Sequence, residues 1–192
     1  MRSSLAAWTT YLAVESTATP AGPISKPLAN MQTLLANLAA CQTWLDVADV
    51  TEALGKLYLV AADDPADDPL PTPYAVVMQG ERGCWAGRRT AGGAAARFAG
   101  SGVIDVLFVA DVAASLSYAD AELTFTNEVG AILSEIDGVA GSNEYLNVTG
   151  MRVLWGPTRE DTRAEDTGEA PNDVDDAPGT RLQIMVQFTW GI

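Results

Sequence analysis

The last stretch of the chain does most to limit its fold. Over residues 181–190, Leu182, Ile184, Val186, Phe188 and Trp190 alternate with Arg181, Gln183, Met185, Gln187 and Thr189. Successive side chains of a strand point to opposite faces, so a period of two dictates a half-buried β-strand. One such strand needs neighbours in a sheet and a second layer over its apolar face. The same sequence supplies that layer. Leu28, Met31, Leu34, Leu35, Leu38, Cys41, Gln42 and Leu45 recur at steps of three and four, which predicts a helix over residues 27–45. Ser25 would be its N-cap, and Pro27 fits its first turn. Ala121, Phe125, Val129, Ile132, Leu133 and Ile136 predict a second helix from about residue 118 to 137. Ser117 and Asp120 would open it and Gly138 would stop it.

Other strands follow from apolar runs. Residues 56–60 are extended, after a connector at 46–51. Residues 74–79 read as a strand, and residues 102–111 as one buried on both faces. Asp105 interrupts that apolar run and requires a partner or an edge position. Residues 145–155 form a strand broken at Gly150, by a bulge or a turn. The strands lack crossover helices between them, so most pairs should be antiparallel. The expected fold is α+β: a mostly antiparallel sheet with two main helices packed on it.

The 192 residues suit one domain over 25–192, preceded by an arm or linker at 1–24. That first segment reads either as an arm docking on a neighbour or as a frayed terminus. Long loops are expected at 80–101 and 156–179. The first, a hairpin tip or mobile loop, carries Arg82, Arg88, Arg89 and Arg97, four of the 11 basic residues. The second is a solvated acidic excursion, with Glu160, Asp161, Glu165, Asp166, Glu169, Asp173, Asp175 and Asp176 against Arg159 and Arg163. A further acidic loop repeats Ala62-Asp63-Asp64-Pro65 as Ala66-Asp67-Asp68-Pro69. Clustered aspartates can hold calcium, but this loop lacks the alternating ligands and glycine of an EF-hand, and its prolines stiffen it.

Composition points away from chemistry. The chain has no histidine, the usual general base and metal ligand near neutral pH. That removes Ser-His-Asp and Cys-His arrangements. Gly55-Lys56 is followed by Leu57, which cannot place a hydroxyl on magnesium as a phosphate-binding loop does. Cys41 and Cys84 make neither a disulfide framework nor a zinc site, and both read as reduced. Asp105 and Glu122 are the carboxylates placed near strong elements. A catalytic pair would have to be built on them, in a shielded site. No catalytic, metal or cofactor-binding residue is expected. The net charge of −14 disfavours adhesion to nucleic acid and to anionic membranes. No stretch approaches the roughly 20 apolar residues of a membrane helix, and the N-terminus lacks the long apolar centre of a signal peptide. The chain reads as made in a cytoplasm.

The order of elements, with Pro73-Tyr74-Ala75-Val76-Val77, the strand at 102–111 and the helix containing Asn127-Glu128-Val129-Gly130-Ala131-Ile132-Leu133, resembles the tail terminator proteins of long-tailed phages and related gene transfer particles. These are also called tail completion or head-tail joining proteins. The resemblance covers roughly residues 28–192 and rests on element order and short stretches. The N-terminal segment and residues 156–179 depart from it as additions. It implies a structural virion protein made in the host bacterial cytoplasm, without enzymatic activity or cofactor. It also implies a homo-oligomeric ring, usually a hexamer. The ring caps the tail tube, joins the head-tail connector and adaptor proteins, and lets DNA through its lumen without specific binding. An acidic lumen would repel phosphates, and a ring needs two different patches on each subunit. Arg82, Arg88, Arg89 and Arg97 are the candidate partner-interface residues. A head-closure or adaptor protein of the same neck is the alternative within this class. A small non-viral enzyme or ligand-binding domain, which would need a concave pocket, is the alternative outside it.

Overall fold

The computed structural model describes residues 25–59, 70–89, 98–112, 116–140, 146–161 and 180–191. The elements in chain order are α1 (Ser25–Asn37), α2 (Ala39–Leu45), α3 (Val50–Lys56), β1 (Leu57–Leu59), β2 (Tyr74–Arg89), β3 (Phe98–Asp111), α4 (Tyr118–Val139), β4 (Val148–Asp161) and β5 (Thr180–Gly191). The strands form one sheet in the order β1-β2-β3-β5-β4. β1 runs parallel to β2, and the other three pairs are antiparallel. The fold is α+β, as the pattern predicts, with a mixed five-stranded sheet and four described helices.

The predicted helix at 27–45 is two helices. Leu38 takes an extended conformation, with φ −79° and ψ 129°, and its side chain offers no cap to α2. The break is supported from α4: the Glu135 carboxylate accepts from the backbone N–H groups of Ala39 at 3.0 Å and Ala40 at 2.8 Å. Two of the amides that start α2 are thereby satisfied. Leu34, Leu35, Leu38, Cys41 and Leu45 all remain buried across the break. α3 was not predicted. Its N-cap Asp49 accepts from the Glu52 N–H, and Glu52 in turn accepts from the Ala48 N–H. This is a near relative of the capping box.

The helices cover one face of the sheet. Ala75 and Val77 of β2, Ile104, Val106 and Phe108 of β3, and the alternating set from Leu182 to Trp190 of β5 form the core with them. Trp44 of α2 joins the layers, edge-on to Phe108 at a ring-centroid distance of 5.4 Å and 6.3 Å from Phe125 of α4. Ser117 caps α4 as predicted. Gly138 does not stop the helix, which continues to Val139. With no αL residue demanded there, the glycine has no capping part to play.

The expected loop at 80–101 is largely strand. β2 runs on through Arg89 and β3 begins at Phe98, so the two form a long hairpin. A shift in register between Gln79 and Cys84 lets the ribbon continue past glycines that offer little to a core. The expected loop at 156–179 is likewise shortened, because β4 extends to Asp161. Gly156 makes this extension fit. Its φ is +141°, and a Cβ there would stand 2.8 Å from Ile184 Cγ1. Residues 1–24, the acidic repeat at 62–69 and the segment 162–179 lie outside the described residues.

Candidate partner-binding surface

The second face of the sheet is apolar at one end and polar across its middle. Tyr74, Val76, Met78, Val109 and Met185 are buried there, with Tyr58, Leu70, Leu107, Leu154 and Trp155 packed against them. None of these side chains comes from a described helix. The prediction of a half-buried β5 is therefore incomplete, since Gln183 and Met185 on its other face are buried too. Trp155 reaches this face through a register shift between Val153 and Trp155, which sets it beside Met185. The connection that leads into β2 is tied down at the same end. Arg181 Nε lies 3.3 Å from Asp111 Oδ1, and the Arg181 guanidinium also donates to the Leu70 carbonyl at 3.5 Å. The Thr72 hydroxyl donates to the other Asp111 oxygen.

Across the middle, Asp105, Gln187 and Arg152 occupy paired positions on β3, β5 and β4. The Gln187 amide donates to Asp105 Oδ1 at 3.0 Å, and its own oxygen accepts from Arg152 Nε at 3.1 Å. Asp105 therefore sits on the central strand with a partner, at 5% exposure. Gly80 makes room for it, since a Cβ there would stand 3.0 Å from Asp105 Oδ1. Asp105 faces away from the helices, whereas Glu122 belongs to α4 on the other side. The two carboxylates do not face a common site, so the pairing that general acid-base chemistry would need is not formed by them. Cys41 is fully buried, and burial followed by the charge of Glu135 pushes its thiol up to about 12. It is a packing residue rather than a nucleophile at neutral pH.

The candidate interface residues fall at one end of the molecule. Arg82, Arg88 and Arg89 lie on the distal half of β2, where Arg89 pairs with Phe98 at the mouth of the hairpin. Arg97 lies outside the described residues. The pairing of β3 with β5 ends at Ser101 and Gly191, so among the described residues the outer part of the ribbon pairs β2 with β3 alone. At the opposite end of β3 stand Asp111, the start of α4, and the paired ends of β4 and β5 at Asp161 and Thr180. Acidic residues predominate there. The sequence of 162–179, which joins β4 to β5 at this end, is acidic as well.

The same end carries exposed apolar side chains that were not among the candidates. Leu116 is 43% exposed and Leu123 is 61% exposed. Leu123 lies well off the stripe formed by Ala121, Phe125, Val129, Ile132 and Ile136. A leucine out of phase with the apolar face was the available sequence signal.

No protein-family model matches the chain. No curated relative matches it either. Among the described residues, no helix is long and apolar enough to cross a membrane.

Proposed function

We propose that the chain is a structural subunit of a neck ring, a tail terminator that caps the tail tube of a long-tailed phage or related particle and joins it to the head connector. The observation that carries this reading is the layout of the molecule. A packed α+β body holds a long β2–β3 hairpin with Arg82, Arg88 and Arg89 at one end and an acidic, partly apolar rim at the other. A ring built from identical subunits needs two such unlike patches. The net charge of −14 suits a passage for DNA, because it repels phosphates instead of retaining them. The hairpin is the part of the body best placed to engage the tail tube protein or the connector.

Electron microscopy of the purified particle, with the chain carrying a small density tag, tests the proposal. A ring at the head-proximal end of the tail is the expected result. Label on filled heads that lack tails would make the chain a head-closure or adaptor protein instead. Its absence from particles would remove the reading altogether.

A further inference from the structure

The sheet has two edges, and they differ. β1 closes one of them with three residues. β4 forms the other, and among the described residues no strand pairs with its outer side. An open edge presents backbone N–H and C=O groups to any extended chain, and folds guard against this with bulges and prolines. Past Val153 the edge is guarded in this way, by register shifts between Val153 and Trp155 and between Trp155 and Thr158, and by Pro157. A further shift lies between Val148 and Gly150. Over residues 150–153 the pairing with β5 is regular, and no proline interrupts it.

A groove opens beside this bare stretch, at the C-terminal end of α4. Ile136 and Ala140 line it from the helix end, and Val148 and Met151 line it from β4. Its volume of ≈ 90 Å³ is far below the about 300–1,000 Å³ of a small-molecule cleft. It has room for one aliphatic side chain. Val153 lies two residues beyond Met151 on the same face of β4. It pairs with the buried Val186, yet is itself 54% exposed. The core face of the sheet therefore continues to this edge and stops uncovered. Asp137 also lines the groove and is exposed. α4 has no basic residue in its last turn, and a helix C-terminus is itself partly negative. Arg152 does not offset this charge, because its guanidinium donates to Gln187 on the opposite face.

We infer that this edge takes an extended segment of a partner protein, which adds a strand to the sheet beside β4. The segment's backbone pairs with residues 150–153, one of its aliphatic side chains fills the groove, and a lysine or arginine next to it meets Asp137. A second copy of this chain fits the site less well, since it would set Asp137 and a net charge of −14 against their like. The inference does not rest on the neck-ring reading, and either can fail alone.

The test is fluorescence anisotropy with the full chain and a labelled peptide that alternates valine with threonine and carries a lysine at each end. One control peptide has glutamate in place of lysine. Another has N-methylated amides on its pairing side, so it cannot donate to β4. Each control should bind at least about tenfold more weakly. Asp137→Lys should reverse the preference toward the glutamate peptide, and that reversal also shows that the variant is folded. Ala140→Leu fills the groove from an exposed position and should weaken binding of every peptide. A lysine peptide that does not bind, or that binds as well after N-methylation, overturns the inference. So does an Asp137→Lys chain that keeps the original preference, or an Ala140→Leu chain that binds as the unaltered chain does. An unaltered chain that self-associates until the peptide displaces it would assign the edge to a second copy and overturn the partner.

Discussion

Under the helices, the sheet is apolar from β2 to β5. Ala75 and Val77 are followed by Ile104, Val106 and Phe108 and then by the whole alternating set of β5. On the other face, Tyr74, Val76, Val109 and Met185 make a smaller apolar cluster at one end only. Beyond it the row of Asp105, Gln187 and Arg152 crosses three strands. The two faces share the same backbone, yet they are finished by different means. The first is closed by the four described helices, which fill it with side chains. The second is closed by a pinned connection and by hydrogen bonds. A face closed by packing is costly to alter anywhere. A face closed by polar contacts has a graded cost, highest where the groups are buried. The body of the fold should therefore depend on the first face, leaving the ends of the second free to vary with partners.

The sharpest test of this difference compares one side chain from each face. Phe108 is fully buried and edge-on to Trp44. Phe108→Ala should cost about 3–5 kcal/mol in urea denaturation, from lost burial and the cavity left behind. Met185 sits in the smaller cluster at 6% exposure. Met185→Ala should cost about 2–3 kcal/mol, toward the low end for a buried methionine, because the cluster has fewer neighbours and can collapse more easily. Equal losses would make the second face a full partner in the core.

Much of the first face was legible because periodicity is a property of the sequence itself. The alternation on β5 names the residues buried under the helices, and the stripe on α4 names Ala121, Phe125, Val129, Ile132 and Ile136 as buried, with Leu133 half-buried beside them. What was not legible depended on distant residues. Nothing local to Asn37-Leu38-Ala39 marks a break; it becomes tolerable because Glu135, nearly a hundred positions on, accepts from the amides that α2 exposes. The burial of Met185 could not be read from β5 alone, since it depends on a register shift that turns Trp155 toward it. Other omissions had a local signal. Asp49-Val50-Thr51-Glu52 carries the spacing of a helix start, but the seven-residue helix that follows is too short for an apolar period to show before the chain extends. The strand character of 80–89 was hidden by composition. Its glycines and arginines read as loop, while pairing with β3 imposes the extended backbone. Of the interface candidates, the charge was visible in sequence. Their gathering at one end of the sheet, opposite the α4 rim, required the topology.

The core face also has a pH signature. In the folded chain burial raises the Cys41 thiol from an ordinary 9.0 to about 12. Above pH 9 the unfolded chain loses this proton and the folded chain keeps it, so the unfolded state binds fewer protons. Stability then falls as pH rises, from about 9 until the folded thiol itself titrates. The loss should reach about 1.4 kcal/mol at pH 10. It is measured as the difference in pH slope between the unaltered chain and Cys41→Ala, which lacks the thiol and cancels the contributions of other groups. Parallel profiles would mean that the region around Cys41 opens to water more readily than its burial implies.

The smallest effect is expected at the outer end of the polar row. Arg152 is exposed, and its contact is with the oxygen of the Gln187 amide. Removing the guanidinium leaves that oxygen within reach of water, so no buried acceptor is orphaned. The amide remains oriented, because its nitrogen still donates to Asp105. Arg152→Ala should therefore cost less than about 1 kcal/mol, as exposed polar contacts generally do. The row is graded in this way because Asp105 is the member withdrawn from solvent, and each contact outward from it is easier for water to replace. A loss of 2 kcal/mol or more at Arg152 would show that the three residues act as one unit across β3, β5 and β4, and that the second face is held as rigidly as the first.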